Sequence, residues 1–284
     1  MLAQVILDGI MMGGIYALVS LGLTIIFGVM RIINFAHGEF LMLSMYASYW
    51  LFQIFGVDPY ISILIVVPLM FLVGLFSFRL IIQPILSAPE MAHVFATLGF
   101  SIVLQGLALY AWHADFRAVR TAYSSVLIKL GPVFMNFPRL VAFAVAIATI
   151  IALHLFFKKT YIGKAIRAAT QNATSAQLMG INLKRIYMIS FGIGIAVVGL
   201  AGAVLIPVYE VFPTIGSLFV MVTFVVVILG GLGSIPGALV GGLVIGVIES
   251  ASGFFLAPAL KEGVYFVIFV FLLLLKPTGI FGKA

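Results

Sequence analysis

Residues 10–30 read IMMGGIYALVSLGLTIIFGVM, a run without a charged side chain. The run is long enough to cross a lipid bilayer as one helix, which takes about 20 apolar residues. Residues 31–40 then read RIINFAHGEF and interrupt the apolar sequence before it resumes. Such an interruption between apolar runs predicts a helical membrane protein with a break in or near the bilayer. The side chains here that are charged or hydrogen-bond strongly are Arg31, Asn34, His37 and Glu39.

The composition of the whole chain agrees with a membrane protein. Its 284 residues are 64% hydrophobic and 8% charged, whereas soluble domains carry about 25% charged residues. No soluble fold of this length hides so much apolar surface, so the lipid bilayer is the expected solvent. The net charge of +7 does not indicate a nucleic-acid partner here, because in a membrane protein the placement of Lys and Arg matters more and marks the cytoplasmic side. We expect a single transmembrane domain over residues 1–284.

The pattern of hydrophobicity predicts an all-α, polytopic transmembrane bundle of about eight or nine spans. The last three apolar segments are short or interrupted by glycine, so broken or re-entrant segments are expected. The first segment contains Asp8 and lacks a basic leader, which predicts a retained helix and not a cleaved signal peptide. The apolar segments lie at roughly 4–28, 38–55, 60–83, 92–112, 138–157, 186–207, 216–230, 237–254 and 263–276.

Positive charge predicts the orientation. The loop 158–185 has no acidic residue and is expected to be cytoplasmic. Counting spans from this loop places the N-terminus outside and the C-terminus, with Lys276 and Lys283, inside. If one late segment fails to cross, the C-terminus moves outside. The basic residues of the loop are Lys158, Lys159, Lys164, Arg167, Lys184 and Arg185.

Segment 113–137 is then external. Its Gly131-Pro132 and Phe137-Pro138 pairs predict an irregular loop.

Two glycine- or proline-interrupted stretches stand out, one in each half of the chain. They are GVMRIINFAHGEF, from Gly28 to Phe40, and GGLGSIPGALVGG, from Gly230 to Gly242. In transporters such stretches point to the substrate path, because unwound backbone at membrane depth faces protein or a water-filled cavity. With nine full spans both lie toward the cytoplasmic side, whereas a re-entrant hairpin places the second near mid-membrane. The candidate residues of a translocation path or gate are Arg31, Asn34, His37, Gly38, Glu39, Gly230, Gly231, Gly233 and Ser234.

Both stretches also have a purely structural explanation. Gly233, Gly237 and Gly241 have the spacing of close helix packing, and Asn34 is a suitable cap for a helix that begins at the membrane interface. Ionisable residues at membrane depth are costly and tend to be functional, which favours a path-lining role for the first stretch. For the second stretch, packing and gating both stay open.

The loop 158–185 also contains a helical pattern between Lys164 and Met179. Gly180 is a suitable C-terminal stop for that helix. The pattern predicts a short amphipathic helix on the cytoplasmic surface, held either at lipid headgroups or in a groove of a partner protein. Its polar face of Gln, Asn, Thr and Ser favours the protein partner. The apolar positions at helical spacing are Ile162, Ile166, Ala169, Ala173, Ala176 and Met179.

The sequence has no catalytic motif. It lacks a GxxxxGK[ST] phosphate loop, a GxSxG elbow and any cysteine, and its scattered histidines have no metal-site spacing. Only Asp8, Glu39 and Glu249 are acids placed for membrane depth, which is few for a proton relay. We therefore expect a transport subunit that is not an enzyme, binds no metal or cofactor and takes its energy from a partner. A stand-alone secondary carrier or channel is the alternative; an intramembrane enzyme is disfavoured.

Three stretches together resemble permeases of ABC importers for branched-chain amino acids, of the LivH type. They are GGIYALVSLGLTIIFGVMRIINFAHGEF (Gly13–Phe40), GKAIRAATQNATSAQLMGIN (Gly163–Asn182) and GGLGSIPGALVGGLVIGVIES (Gly230–Ser250). The resemblance covers nearly the whole chain, and the motifs occur in the family's order. It implies a bacterial inner-membrane subunit that imports Leu, Ile or Val; similar permeases carry urea or short-chain amides.

The resemblance also implies partners. These are a second, related permease subunit, two cytoplasmic ATPases that use ATP and Mg, and a periplasmic substrate-binding protein. The loop 158–185 would be the coupling segment that meets an ATPase, and the INFAHGE stretch would line or gate the path. The positions that match the family's coupling segment are Gly163, Arg167, Ala169, Gln171 and Gly180.

Overall fold

The computed structural model describes residues 1–276 and 278–282, so Lys283 lies outside the described residues. Within them the chain forms a helical bundle with one short β-hairpin, which confirms the predicted all-α polytopic architecture. The elements are α1 (Leu2–Met30), α2 (His37–Phe55), α3 (Pro59–Ile85, with a π-helical turn at Phe78–Ile82), α4 (Glu90–Trp112), β1 (Leu127–Leu130), β2 (Val133–Asn136), α5 (Phe137–Lys159), α6 (Tyr161–Gln171), α7 (Ala173–Leu178), α8 (Leu183–Leu205), α9 (Ile215–Gly230), α10 (Ile235–Phe255) and α11 (Lys261–Leu275, after a 3-10 turn at Pro258–Leu260).

Seven of the described helices are long and apolar enough to cross a membrane. Two more, α2 with 19 residues and α9 with 16, complete the bundle. Since a residue adds about 1.5 Å to a helix, α9 is shorter than a hydrocarbon core of about 30 Å. Among the described residues, the bundle therefore combines helices suited to crossing a membrane with at least one, α9, that is too short to cross alone.

The bundle has two distinct ends. The hairpin end carries β1 and β2, and Gln4 at the start of α1 bonds there: its Nε2 donates to the Phe134 carbonyl (2.7 Å) and its Oε1 accepts from the Phe134 amide (2.8 Å). The basic end carries α6 and α7, and Val29 near the end of α1 packs there against Ile166. Residues 278–282 lie at the basic end, because the Ile280 amide donates to the Leu229 carbonyl (2.8 Å). The N-terminus and the described C-terminal residues thus lie at opposite ends.

Close antiparallel helix pairs form the centre of the bundle. Helix α10 lies along α1, where a Cβ at Gly13 would come within 2.6 Å of the Leu243 Cα atom. Helix α3 lies along α8 in the same way, with a Cβ at Gly74 meeting the Gly192 Cα atom at 2.9 Å. Glycines allow backbones in a membrane to approach this closely. In contrast, α4 and α11 leave most of their surface open.

Two expectations from the sequence need correction. The external segment 113–137 is not wholly irregular, because residues 127–136 form an antiparallel hairpin that turns at Gly131. The amphipathic segment is two helices, α6 and α7, since Asn172 ends one and its Oδ1 accepts from the Ser175 amide (2.9 Å) to cap the other. Met179 is 83% exposed and is not part of the buried face.

Candidate translocation site

The first break in the bundle follows α1. Arg31 ends that helix in the left-handed region, with φ 55°, and its amide donates to the Phe27 carbonyl (2.8 Å). The chain then returns along α1 until the His37 ring nitrogen Nε2 lies 2.9 Å from the Val19 carbonyl, well inside that helix. Nε2 therefore donates the bond. This places the start of α2 in the middle of the bundle and not at an interface.

The break is held by side chains from both sides. Asn34 is 1% exposed, and its Oδ1 accepts from the Ala36 amide (3.1 Å), which supports the start of α2. Thr97 of α4 contacts the backbone of the break: its Oγ1 accepts from the Phe35 amide (3.3 Å) and lies 3.2 Å from the Ile33 carbonyl, while its one proton also has the His93 carbonyl of α4 within reach (2.9 Å). Unwound backbone in the membrane requires such partners.

Glu39 lies in the first turn of α2 and is 1% exposed. Its Oε1 accepts from Gln105 Nε2 (2.8 Å) and Ser101 Oγ (3.2 Å), both on α4. A carboxylate near a helix N-terminus also gains from the helix dipole. Several buried polar atoms around the break have no hydrogen-bond partner among the described residues. They are Ser20 Oγ, Asn34 Nδ2, His37 Nδ1, Glu39 Oε2 and Thr223 Oγ1.

A second break, after α8, mirrors the first. Residues 206–214 separate α8 from α9, and the Gly216 backbone at the start of α9 packs directly on the Gly38 backbone at the start of α2. From this contact α2 runs to the hairpin end, where Tyr46 stacks on Trp112 at 3.9 Å between ring centroids. Helix α9 runs to the basic end. The two helices therefore start at one place and point in opposite directions.

Sequence reasoning missed this second break and named Gly230–Gly242 as the second interrupted stretch, with packing and gating both open. The signal was present in Pro207 and Pro213, which lie within the break near its two ends and disfavour a continuous helix. The stretch Gly230–Gly242 is instead a turn at the basic end followed by the first turns of α10. Packing accounts for its glycines: Gly237 and Gly241 lie against α9 around Gly230.

The predicted path residues fall into two groups. Asn34, His37, Gly38 and Glu39 lie together in the closed middle of the bundle, as described above. The others lie at the basic end, where Gly231 packs on Gly282 and the Ser234 Oγ accepts from the Gly237 amide (3.1 Å). The members of this second group are Arg31, Gly230, Gly231, Gly233 and Ser234.

The basic end holds a cavity of about 880 Å³. It lies between the ends of α1 and α5, helix α6 and the turn before α10. Its charged and polar lining side chains include no acid among the described residues, so an anionic group is favoured inside it. Those side chains are Thr24, Arg31, His154, Lys158, Arg167, Thr170, Gln171 and Ser234.

The hairpin end holds a second pocket of about 430 Å³, beside the second break and the start of α9. Glu249 of α10 is 7% exposed there and accepts a 2.8 Å bond from Lys261 Nζ at the start of α11. The Tyr16 hydroxyl of α1 donates to its other carboxylate oxygen. The sequence identified Glu249 as an acid at depth but gave no sign of the two partners, which lie far along the chain.

The predicted coupling residues lie on and around α6. Gly163 and Ala169 face the bundle, and a Cβ at Gly163 would meet the Phe157 Cα atom at 2.6 Å. Arg167 and Gln171 are exposed and line the cavity of the basic end. Gly180 has φ 83° just beyond α7, which is the conformation expected of a helix stop.

A bundle of long apolar helices with paired broken segments and cavities toward both ends is typical of a membrane transport protein. Within the described residues no group of three or more His, Asp or Glu side chains is placed to hold a metal ion.

Residues 5–273 match the family described as "Branched-chain amino acid transport system / permease component", and the chain belongs to this family. It is 30% identical to the high-affinity branched-chain amino acid transport permease protein LivH of Salmonella typhimurium, over 99% of this chain and 95% of that one. The permease protein BraD of Pseudomonas aeruginosa gives the same figures. A probable LivH permease of Methanocaldococcus jannaschii is 30% identical over 98% of this chain and 92% of its own length.

A solved structure shares the fold. The protein described as PsaBC from Streptococcus pneumoniae in complex with Fab aligns with a TM-score of 0.52 at 13% identity, over 95% of this chain and 91% of that chain. The sequence matches identify an ABC-type permease that is a multi-pass membrane protein, and they indicate no enzymatic family.

Proposed function

We propose that this chain is the membrane-spanning subunit of an ATP-driven ABC importer that moves Leu, Ile or Val into the cytoplasm. The observation that carries the proposal is the surface helix α6. It has one face seated on the bundle and the other face free, at the end of the molecule that carries the basic loop 158–185. A stand-alone carrier or channel does not need such a helix.

The packed face of α6 supports a role for this helix in transmitting motion to the bundle. Ala165, Ile166 and Ala169 are at most 5% exposed and pack against Val29 of α1 and Ile186 of α8. A displacement of α6 is therefore passed to the ends of two central helices, since packed interiors transmit strain.

The free face of α6 and α7 supports contact with an ATPase. Tyr161 is 82% exposed, and Leu178 and Met179 are 84% and 83% exposed. Large apolar side chains beside exposed Lys164 and Arg167 form a surface suited to a protein groove. Two ATPase subunits, using ATP and Mg, supply the energy at this end.

The remaining assembly follows from the family. A second, related permease completes the transmembrane unit, and a periplasmic binding protein delivers substrate at the hairpin end. In the proposed assembly the N-terminus lies outside and the C-terminus lies in the cytoplasm, with the chain in a bacterial inner membrane. Urea or short-chain amides are the alternative cargo within the same family. The rival function, a stand-alone carrier, is motivated by the buried acids Glu39 and Glu249.

The test is purification of the chain from its native membrane with identification of its companions, followed by uptake of radiolabelled leucine in proteoliposomes. Recovery of a second permease and ATPases, with uptake that requires ATP and is competed by isoleucine and valine, supports the proposal. Uptake by the chain alone without ATP would establish the carrier instead. Competition by urea or acetamide, without competition by valine, would change the cargo.

A variant tests the coupling role directly. Ala169→Pro breaks the interior of α6 at a cost of about 3 kcal/mol, so ATP-driven uptake falls while the permease still inserts. Ala169→Ser is the matched control, because it keeps both the helix and the small side chain. Normal uptake by Ala169→Pro would contradict coupling through α6.

A further inference from the structure

The pocket at the hairpin end has features that a simple packing defect lacks. It is walled by the second break, the start of α9, α10 and α11. Its volume of about 430 Å³ falls within the range of small-molecule sites, roughly 300–1,000 Å³. It adjoins Ile215, the residue next to the glycine contact at which α2 and α9 begin. The pocket thus lies where the bundle is broken.

The pocket contains an ion pair between a buried acid, Glu249, and Lys261, whose side chain is partly exposed. Glu249 has both carboxylate oxygens occupied, one by Lys261 Nζ and the other by the Tyr16 hydroxyl. Burying a carboxylate such as that of Glu249 in a membrane protein is costly even when it is paired, and ionisable residues at such positions tend to mark substrate pathways. The pair needs an explanation beyond the packing of apolar helices.

Charge in the pocket is unbalanced in favour of acid. Glu210 and Glu262 also line it, and both are exposed. Among the described residues their carboxylates accept no side-chain or backbone hydrogen bond, and Lys261 is the one Lys or Arg in the lining. An ammonium group has three donors, and Lys261 uses one of them for Glu249. The pocket therefore offers free carboxylates for a cation and free ammonium donors for an anion.

The rest of the wall is apolar. It is formed by residues of the second break and the first turns of α9: Val208, Phe212, Ile215, Leu218, Phe219 and Val222. An aliphatic side chain gains about 25 cal/mol for each Å² of apolar surface that it buries.

From this arrangement we infer that the pocket binds an aliphatic α-amino acid as a zwitterion. The Lys261 ammonium donates to the ligand's carboxylate, the carboxylates of Glu210 and Glu262 accept from its ammonium, and the apolar wall holds its side chain. Glu249 and Tyr16 position Lys261. The inference rests on the proposed function and adds to it a subsite in this chain that is separate from the binding protein.

The alternative is a purely structural role, in which the ion pair of Glu249 and Lys261 only holds α10 against α11. A tie of this kind affects folding and lowers the binding of all ligands together. A zwitterion site instead discriminates between ligands that carry one charge and ligands that carry both. The experiment therefore compares ligands as well as variants.

The probes are L-leucine, 3-methylbutylamine, which lacks the carboxylate, and 4-methylpentanoate, which lacks the ammonium. Their dissociation constants are measured by saturation-transfer difference NMR on the purified importer in nanodiscs, without binding protein. We expect leucine to bind about tenfold more tightly than either analogue, since one charge-assisted hydrogen bond is worth roughly that factor.

Variants that remove a charge from the pocket test which side chain binds which charged group of the ligand. Lys261→Met is expected to remove the preference for leucine over 3-methylbutylamine, and Lys261→Arg to keep it. The double variant Glu210→Gln with Glu262→Gln is expected to remove the preference for leucine over 4-methylpentanoate. Lys129→Met on the hairpin is the matched control, because it makes the same change at the same end outside the pocket.

The inference is overturned if wild type shows no preference for the zwitterion. It is also overturned if Lys261→Met weakens all three probes equally, since the ion pair would then be only a structural tie. These outcomes are separate from the proposed function, which is judged by ATP-driven uptake. If the importer carries leucine with ATP and the pocket variants do not change the preference for leucine, the proposed function stands and the pocket is not a zwitterion site.

Discussion

The two broken segments of the bundle have the same plan and different contents. Each follows a long central helix, returns into the bundle and starts a shorter helix at the contact between Gly38 and Gly216. Each also has its backbone paired by another part of the chain: Thr97 bonds the first break, and Arg117 exchanges two backbone bonds with Val211 in the second (2.8 and 3.0 Å).

The difference lies in what surrounds each break. The first places Asn34, His37 and Glu39 in the closed interior, each at most 1% exposed. The second places Glu210 on the surface of a pocket. The buried residues 34–39 of the first break and the start of α2 are therefore a packed support, whereas Glu210 of the second break borders a pocket, so a shared architecture does not imply a shared role.

The largest effect is expected where the two halves touch. Gly38→Val adds a side chain that overlaps the Gly216 carbonyl, and backbone cannot move aside cheaply. We expect a loss of more than about 3 kcal/mol in the free energy of unfolding, at or above the usual cost of overpacking. Gly216→Val should be equally damaging. The measurement is the yield of folded permease on size-exclusion chromatography and its unfolding in denaturing detergent.

Gly99→Val is the control for this pair, because a Cβ at Gly99 meets nothing within 4 Å. If Gly38→Val is as stable as that control, the contact between the two helix starts is not structural.

A smaller effect is expected at His37, whose side chain bonds the first break to α1. The corresponding residue in the second break is the apolar Ile215. His37→Leu loses the bond to the Val19 carbonyl, which still accepts within α1, so we expect a loss of about 1 kcal/mol. His37→Gln keeps a donor of similar reach and should lose less. Thermal unfolding of the purified permease ranks the two variants, and a Gln variant no better than Leu would count against the bond.

Glu39→Gln should change stability by less than about 1 kcal/mol. The amide keeps the oxygen that accepts from Ser101 and Gln105. Transport is expected to change more than assembly, because the variant removes a buried ionisable group near the centre of the bundle. Leucine uptake measured over a range of pH, normalised to the amount of inserted permease, checks this. Uptake equal to wild type at every pH would make Glu39 purely structural.

The smallest effect on stability is expected at the acid of the second break. Glu210 is exposed and has no hydrogen-bond partner among the described residues, so Glu210→Gln should stay within about 0.5 kcal/mol of wild type. The same unfolding assay applies. A loss as large as that of His37→Leu would show that the second break is as tightly packed as the first and would remove the contrast between them.

The sequence predicted the class of fold well because lipid imposes strong rules on composition. Long apolar runs, the polar Arg31–Glu39 segment and the basic loop 158–185 each carry a local signal. Gly180 was identified as a helix stop for the same reason, since its left-handed conformation is a property of one residue.

The missed features depend on distant partners. The return of residues 206–214 into the bundle is fixed by Gly38 and Arg117, which lie far away in the chain, so a hydropathy pattern records only the interruption. Tyr16 of α1 and Lys261 of α11 likewise both bond to Glu249 of α10. These partners are far apart in the chain, so no local sequence pattern records the contacts. The division of the amphipathic segment at Asn172 was overlooked because asparagine is tolerated on the polar face of a helix as well as at a cap.

The contact between Gly38 and Gly216 also bears on how the cell conserves energy. The two cavities share no lining residue among the described ones, and backbone against backbone closes the bundle between them. We expect such a contact to hinder the passage of protons and sodium ions through an idle permease, which ion flux into proteoliposomes would measure. A cell could then hold many copies in its membrane without dissipating the electrochemical gradient on which its other transporters depend.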